Sequence, residues 1–177
     1  EDQVHYASGQ FFTVSVKVDG KEERRAYSLC SSPFVDEFPA VAVKRVDGGK
    51  VSNFLNDNVA TGDELLLMDP IGNFITTFSS TNNRQLILFG GGSGITPLIS
   101  IAKSALDQEP NSKVTLVYAN RNTDSIIFKN QIEKLADDSR FKVLHVLEDA
   151  PADWSGYTGR INEEEVRSAL TDVVNGE

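Results

Sequence analysis

The chain has 177 residues, 40% hydrophobic and 24% charged, with a formal net charge of −9. The balance is that of a globular protein, and its acidity excludes nucleic acid as a partner, since no Lys/Arg stripe exists to displace counterions from phosphates. A single cysteine, Cys30, excludes an intrachain disulfide or a cysteine-ligated cluster built from this chain alone, and no metal site is expected. No apolar run approaches the ~20 residues that cross a bilayer. The start of the chain lacks the basic region and apolar core of a signal peptide. No membrane partner is expected, and the expected compartment is cytoplasmic.

The first half reads as β. Phe12, Val14, Val16 and Val18 alternate with Thr13, Ser15 and Lys17, the period of a half-buried strand, and Asp19-Gly20 supplies a turn. Further short strands are predicted at 24–28, 41–46 and 64–69. Ser52 is placed to cap a short helix running through Asn56. Several short strands at this spacing indicate a barrel or sandwich. After a polar linker at 79–83 the texture changes. Residues 86–89 form a continuous apolar run, as in a strand buried on both faces. Thr96 reads as an N-cap and Pro97 as the first helical residue, followed by Leu98, Ile101, Ala102, Ala105 and Leu106 at helical spacing. A strand at 114–118 comes next. Asp124 or Ser125 then caps a helix carrying Phe128, Ile132, Leu135 and Ala136. A strand at 141–147 and a last helix at 163–174 complete the pattern. Alternating strands and helices imply a parallel sheet with right-handed crossovers. Two domains are expected, residues 1–80 and 85–177.

Two segments carry chemistry. The first is LILFGGGSGITP, residues 86–97. Its glycines let the backbone approach a phosphate with no Cβ in the way, and the helix start that follows offers free N–H groups and a positive dipole end. The second is RAYSLCSSP, residues 25–33. Arg25 can grip a phosphate with its planar fork, Tyr27 shares its face in strand geometry, and Ser28 adds a hydroxyl. That set suits a planar heterocycle carrying a diphosphate, although alone it also fits an edge strand with a surface Arg and a half-buried Tyr.

Together the segments resemble the ferredoxin–NADP reductase superfamily of flavoproteins. Gly9-Gln10-Phe11 is similar to that family's G-Q-F/Y, and Arg25-Ala26-Tyr27-Ser28 to its R-x-Y-S flavin motif. Gly49-Lys50-Val51-Ser52 is similar to its G-x-x-S helix start, Pro70 to Phe74 to its P-x-G-x-F, and Gly92 to Pro97 to its G-x-G-x-x-P. The resemblance implies an antiparallel Greek-key FAD-binding barrel followed by a Rossmann-like parallel-sheet NAD(P)-binding domain. It implies FAD and NAD(P)H as cofactors. Arg25 and Ser52 would hold the FAD diphosphate. Tyr27 would pack on the isoalloxazine, and Ser28 would lie near flavin N5, making Ser28 and Tyr27 the catalytic pair. Thr96 would lie near the nicotinamide, with Gly92, Ser93 and Gly94 admitting its diphosphate. Leu29, Lys44, Gly49, Lys50, Val51, Phe74, Asn120 and Arg121 complete the implied cofactor-binding set.

Residues 117–135 and Gly156 to Ile161 are similar to the reductase components of bacterial multicomponent oxygenases, the phenylacetyl-CoA epoxidase type most of all. Such reductases carry a 2Fe-2S domain with four cysteines. The resemblance places that centre outside this chain, in a longer form or a ferredoxin-type partner, and makes an oxygenase component the final partner. It also implies a barrel strand before residue 9 and further strands with a C-G-P segment beyond residue 177. An alternative is a flavin-binding electron-transfer or regulatory module without NAD(P)H turnover of its own. The choice between NADH and NADPH stays open: Arg121 could meet a 2′-phosphate, whereas Glu148 and Asp149 would repel one. His145 is expected to pack rather than react, Trp154 to anchor a loop, and Cys30 to be a small buried side chain.

Overall fold

The computed structural model describes residues 4–163, 166–167 and 170–171. Strands β1 (Phe11–Val18) and β2 (Lys21–Ser28) form a hairpin in which Val18 pairs with Lys21. Asp19 and Gly20 both take positive φ there, the turn whose twist matches the flanking strands. The alternation predicted for β1 buries Phe12, Val14 and Val16. Helix α1 (Lys50–Asn58) covers Val14 and Val16 through Val51, Phe54 and Leu55, and Tyr27 joins the cluster. Strand β3 (Leu66–Ile71) pairs antiparallel with the other edge of β1, giving the order β2-β1-β3. Gly9 precedes β1 at φ +99, and a Cβ there would stand 1.8 Å from the Phe74 carbonyl oxygen, so only glycine allows this approach.

Three local expectations fail in this half. Residues 41–46 form no strand beyond an isolated bridge from Val41 to Leu29. Side chains take their backbone groups instead: Asn56 donates to the Val43 carbonyl, and the Val46 N–H donates to Ser52 Oγ. Ser52 is therefore no N-cap; α1 starts one turn earlier, with Gly49 at that position and no side-chain cap. The strand predicted at 64–69 begins two residues later, at Leu66.

The second half is a parallel sheet in the order β4-β5-β6-β7. Its elements are β4 (Gln85–Gly91), α2 (Ile95–Gln108), β5 (Lys113–Asn120), α3 (Lys129–Leu135), β6 (Phe141–Leu147) and the short β7 (Tyr157–Thr158). Strand β4 is half-exposed rather than buried on both faces, because among the described residues only β5 pairs with it. Helix α2 begins at Ile95 with Gly94 before it, so Thr96 is inside the first turn and returns its hydroxyl to the Ser93 carbonyl. Pro97 is correspondingly third, not first. Asn122, not Asp124 or Ser125, is the capping residue after β5. It exchanges hydrogen bonds with Ser125 across a 3-10 turn, and α3 starts only after Phe128 at φ 61. The helix expected at 163–174 lies partly outside the described residues; Glu163, Val166, Arg167, Leu170 and Thr171 are helical. No helix among the described residues is long and apolar enough to cross a membrane.

Helix α2 is buried over most of its surface, its apolar residues against the sheet and its small hydroxyl residues against the β half. Ile95, Leu98, Ala102 and Ala105 pack with Val114, Leu116 and Phe141 of the sheet, and Cys30 from the β half enters the same cluster. Its polar residues meet the β half through hydroxyls. Ser104 Oγ lies 2.6 Å from Ser8 Oγ and 2.7 Å from Ser32 Oγ, and Ser100 donates to the Ser31 carbonyl at 2.6 Å. At the rim of this seam Lys103 pairs with Asp36, which also accepts the Ser32 N–H. Changing Ser104→Ala strips two buried hydroxyls of a shared partner. The expected cost is about 1–3 kcal/mol, read as a lower urea midpoint at unchanged slope.

The C-terminal end of α2 is closed by ions. Arg140 donates to the Leu106 and Glu109 carbonyls. The Glu109 side chain, fully buried, accepts from Arg84 and Asn82. Burial pushes its carboxyl pKa up, but hydrogen bonds from Arg84, Asn82 and Ser112 together outweigh this and leave it below 4.5. A group lowered on folding stabilises above its unfolded pKa and loses that contribution as pH falls through the folded value. The Tm advantage of the wild type over Glu109→Gln should therefore shrink as pH drops below about 4.5. Arg84→Met at neutral pH leaves the carboxylate unpaired; with Arg84 37% exposed, the loss should lie at or below the ~3–5 kcal/mol of a broken buried pair.

Candidate nucleotide-binding site

Strand β2 ends at Ser28, and the chain beyond it is fixed to α2 by the serine contacts. The end of β2 consequently faces the start of α2. Between them lies a cleft of about 360 Å³, lined on one side by Ala26, Tyr27, Ser28, Ala42, Lys44 and Val46 and on the other by Ser93, Gly94, Thr96 and Pro97. Burial pushes the Tyr27 phenol up, partly offset by the Arg25 charge, so it stays neutral. Segments far apart in sequence, the R-x-Y-S strand and the glycine loop, thus share one cavity.

A second cleft of about 300 Å³ opens at the carboxyl ends of the parallel strands, where open α/β sheets bind ligands. Gly91, Gly92, Asn120, Arg121, Glu148 and Arg160 line it, together with Lys44. Gly92 sits at φ +48, and a Cβ on Gly92 or Gly94 would meet nothing within 4 Å. The loop therefore presents bare backbone to open space. Tyr118, fully buried on β5, donates its hydroxyl to the Gly92 carbonyl at 2.9 Å and accepts the Ile127 N–H at 3.3 Å. Burial raises its pKa, while the Ile127 N–H and the nearby Asn120 amide draw it back in part. Asn120 is 6% exposed, yet neither atom of its amide reaches a hydrogen-bond partner in good geometry among the described residues. At the rim Arg121 pairs with Asp149 and Arg160 with Glu148. Lys44 lines both clefts and forms no ion pair among the described residues.

A third group surrounds the start of α1. Arg25 and Lys50 both face Glu23, and Arg25 also donates to the Arg24 carbonyl. Val51 is in the core, and Ser52 Oγ is occupied by the Val46 N–H. Two expected residues lie elsewhere. Leu29 is fully buried, with its N–H given to the Gln10 carbonyl, and lines neither cleft. Phe74 lines a separate apolar groove with Ile75, Leu86, Leu88 and Ile101. Sequence reasoning passed over Tyr118, Arg160 and Glu23. The signal for Tyr118 was available: two residues before Asn120 on one strand, it must share that residue's face. His145 packs between Tyr118 and Trp154, and Trp154 donates to the Tyr157 carbonyl.

Comparison with known proteins gives this geometry a family. Residues 1–75 match the oxidoreductase FAD-binding domain and residues 88–175 the oxidoreductase NAD-binding domain. The ferredoxin reductase component of 3-ketosteroid-9-alpha-monooxygenase from Rhodococcus rhodochrous is 46% identical over 83% of this chain and 42% of that protein. A component of the 1,2-phenylacetyl-CoA epoxidase of Escherichia coli is 31% identical over 99% of this chain and 49% of that protein. The crystal structure of the cytochrome P450 reductase GcoB from Amycolatopsis superposes with a TM-score of 0.81 at 27% identity, over 96% of this chain and 51% of the other. The chain thus spans less than half the length of these curated relatives. With an FAD-binding match and an NAD-binding match in series over an antiparallel sheet and a parallel one, the chain belongs to the ferredoxin–NADP reductase superfamily.

Proposed function

We propose that this chain is the flavin- and nicotinamide-binding part of a reductase that takes electrons from NAD(P)H through FAD to an iron–sulfur centre serving an oxygenase. The observation that carries the reading is the shared cleft, in which Tyr27 and Ser28 stand opposite Ser93, Gly94 and Thr96. The residues present fit both cofactors. The loop at Gly92 and Gly94 leaves open the space a diphosphate needs, and the buried Asn120 amide reaches no hydrogen-bond partner in good geometry among the described residues, a place a nucleotide could fill. When bound, the cofactors supply the chemistry, hydride from the nicotinamide and single-electron release from the flavin.

The side chains bind and orient. Tyr27 offers a neutral aromatic face at the cleft, and Ser28 offers a hydroxyl with no side-chain hydrogen bond among the described residues. Lys44, without an ion pair among the described residues, brings a cation to the place where the two clefts meet. Tyr118 fixes the loop by holding the Gly92 carbonyl. No general acid or base is required, in keeping with a neutral, half-buried His145 whose pKa desolvation pushes down. The open glycine loop favours turnover over a flavin module that never meets NAD(P)H. The oxygenase partnership draws on the relatives' roles within a monooxygenase and an epoxidase. A cytoplasmic setting belongs to the same reading, in keeping with the single, buried cysteine.

Reconstitution with FAD and anaerobic addition of NADH or NADPH tests the reading. The flavin absorbance near ~450 nm should appear and then bleach; a protein that stays colourless with FAD sinks it. In stopped flow, Ser28→Ala should slow bleaching about 10- to 100-fold with FAD still bound, as expected when a reacting pair loses its alignment. An unchanged rate would remove Ser28 from the chemistry.

A further inference from the structure

We propose that Glu23 is a displaceable stand-in for the phosphates of the flavin nucleotide, and that its competition for Arg25 and Lys50 sets how tightly FAD is held; this rests on the flavin reading above. The run Glu22-Glu23-Arg24-Arg25 lies in β2, so alternate residues face opposite ways. It contains two interleaved acid–base pairs, one on each face. On the first face Glu22 is held tightly, 2.6 Å from Arg24 and 2.9 Å from the Ser15 hydroxyl that donates to it. On the second face Glu23 is held loosely and by two cations at once. One carboxylate oxygen lies 3.5 Å from Arg25 Nη1 and the other 3.7 Å from Lys50 Nζ. Lys50 is the first residue of α1, and it reaches β2 because Val51 beside it is anchored in the core that Tyr27 also joins.

The loose pair is therefore the one beside the helix start and on the Tyr27 face. Both cations are more than half exposed, whereas Glu23 is 23% exposed. Ion pairs this long and this wet are weak, so an anion of higher charge can replace the carboxylate without breaking the fold. A diphosphate is such an anion, with oxygens enough to meet a guanidinium and an ammonium together. Without the nucleotide, Glu23 keeps the two cations from repelling each other and holds them on one face. With it, the carboxylate must give up both contacts.

The test is FAD affinity of the whole chain, by titration of apo-protein, in wild type, Glu23→Gln and Glu22→Gln, with riboflavin as the phosphate-free probe. Removing the competing charge should tighten FAD about two- to tenfold in Glu23→Gln. Riboflavin affinity should not move, and Glu22→Gln should leave both ligands unchanged. Unchanged or weaker FAD binding in Glu23→Gln overturns the inference. So does an equal gain for riboflavin, or an equal gain in Glu22→Gln, which would make the effect one of net charge. A wild type that binds neither flavin overturns the functional reading itself, an outcome distinct from a wild type that binds FAD with no gain in the variant.

Discussion

The hydroxyl seam between α2 and the β half is the constraint on which the rest of the structure depends. Ser8, Ser31 and Ser32 come from one half and Ser100 and Ser104 from the other, all buried. Each hydrogen bond contributes only about 0.5–1.5 kcal/mol net, but a buried hydroxyl finds a partner in one geometry and is costly without it. An apolar seam would hold the halves together as well and let them slide. The polar one fixes the register of Ser28 against Gly94, and that register defines the cleft where we propose flavin and nicotinamide meet.

Electrostatics around the two clefts follow a division of labour that the net charge of −9 conceals. Arg121 and Arg160 at the rim are each paired with a carboxylate, and Arg25 and Lys50 share one. Lys44, at the seam of the two clefts, carries its charge without an acidic partner among the described residues. An acidic protein can thus present a positive spot at a cleft where a cation has no acidic partner among the described residues, the spot at which we propose a nucleotide binds. It needs no basic surface, since field lines concentrate where one uncompensated charge sits in a cleft.

Much of this was legible in the chain itself. The alternation of Phe12, Val14 and Val16 sets β1, and the apolar spacing from Leu98 to Leu106 sets α2, because burying those faces decides the local structure. The R-x-Y-S and glycine segments pointed to the two walls of the shared cleft. What was not legible depended on partners distant in sequence. Val41 to Val46 has a strand's composition, yet Asn56 and Ser52 take its backbone groups, so no ladder forms. Thr96 and Ser52 have the chemistry of caps. Helix starts at Ile95 and Lys50 instead follow glycines, with no side-chain cap at either. Leu29 and Phe74 share the neighbourhood of flavin-motif residues in sequence but point into a core and a separate groove.

The same seam explains why glycine-loop geometry is more than a local matter. Gly92 could adopt its positive φ in many settings, but its carbonyl is held by Tyr118, whose ring is locked in the cluster that contains Ile95, Leu98 and Cys30. Cys30 belongs to the β half, two residues beyond Ser28. A displacement of the chain after β2 would therefore press on the cluster that contains Tyr118. Cys30 and Tyr118 belong to one buried cluster, and Tyr118 holds the Gly92 carbonyl, so the two clefts share a packed core. Packed interiors resist small continuous deformation, so the shape of one cleft is fixed by the same core that fixes the other.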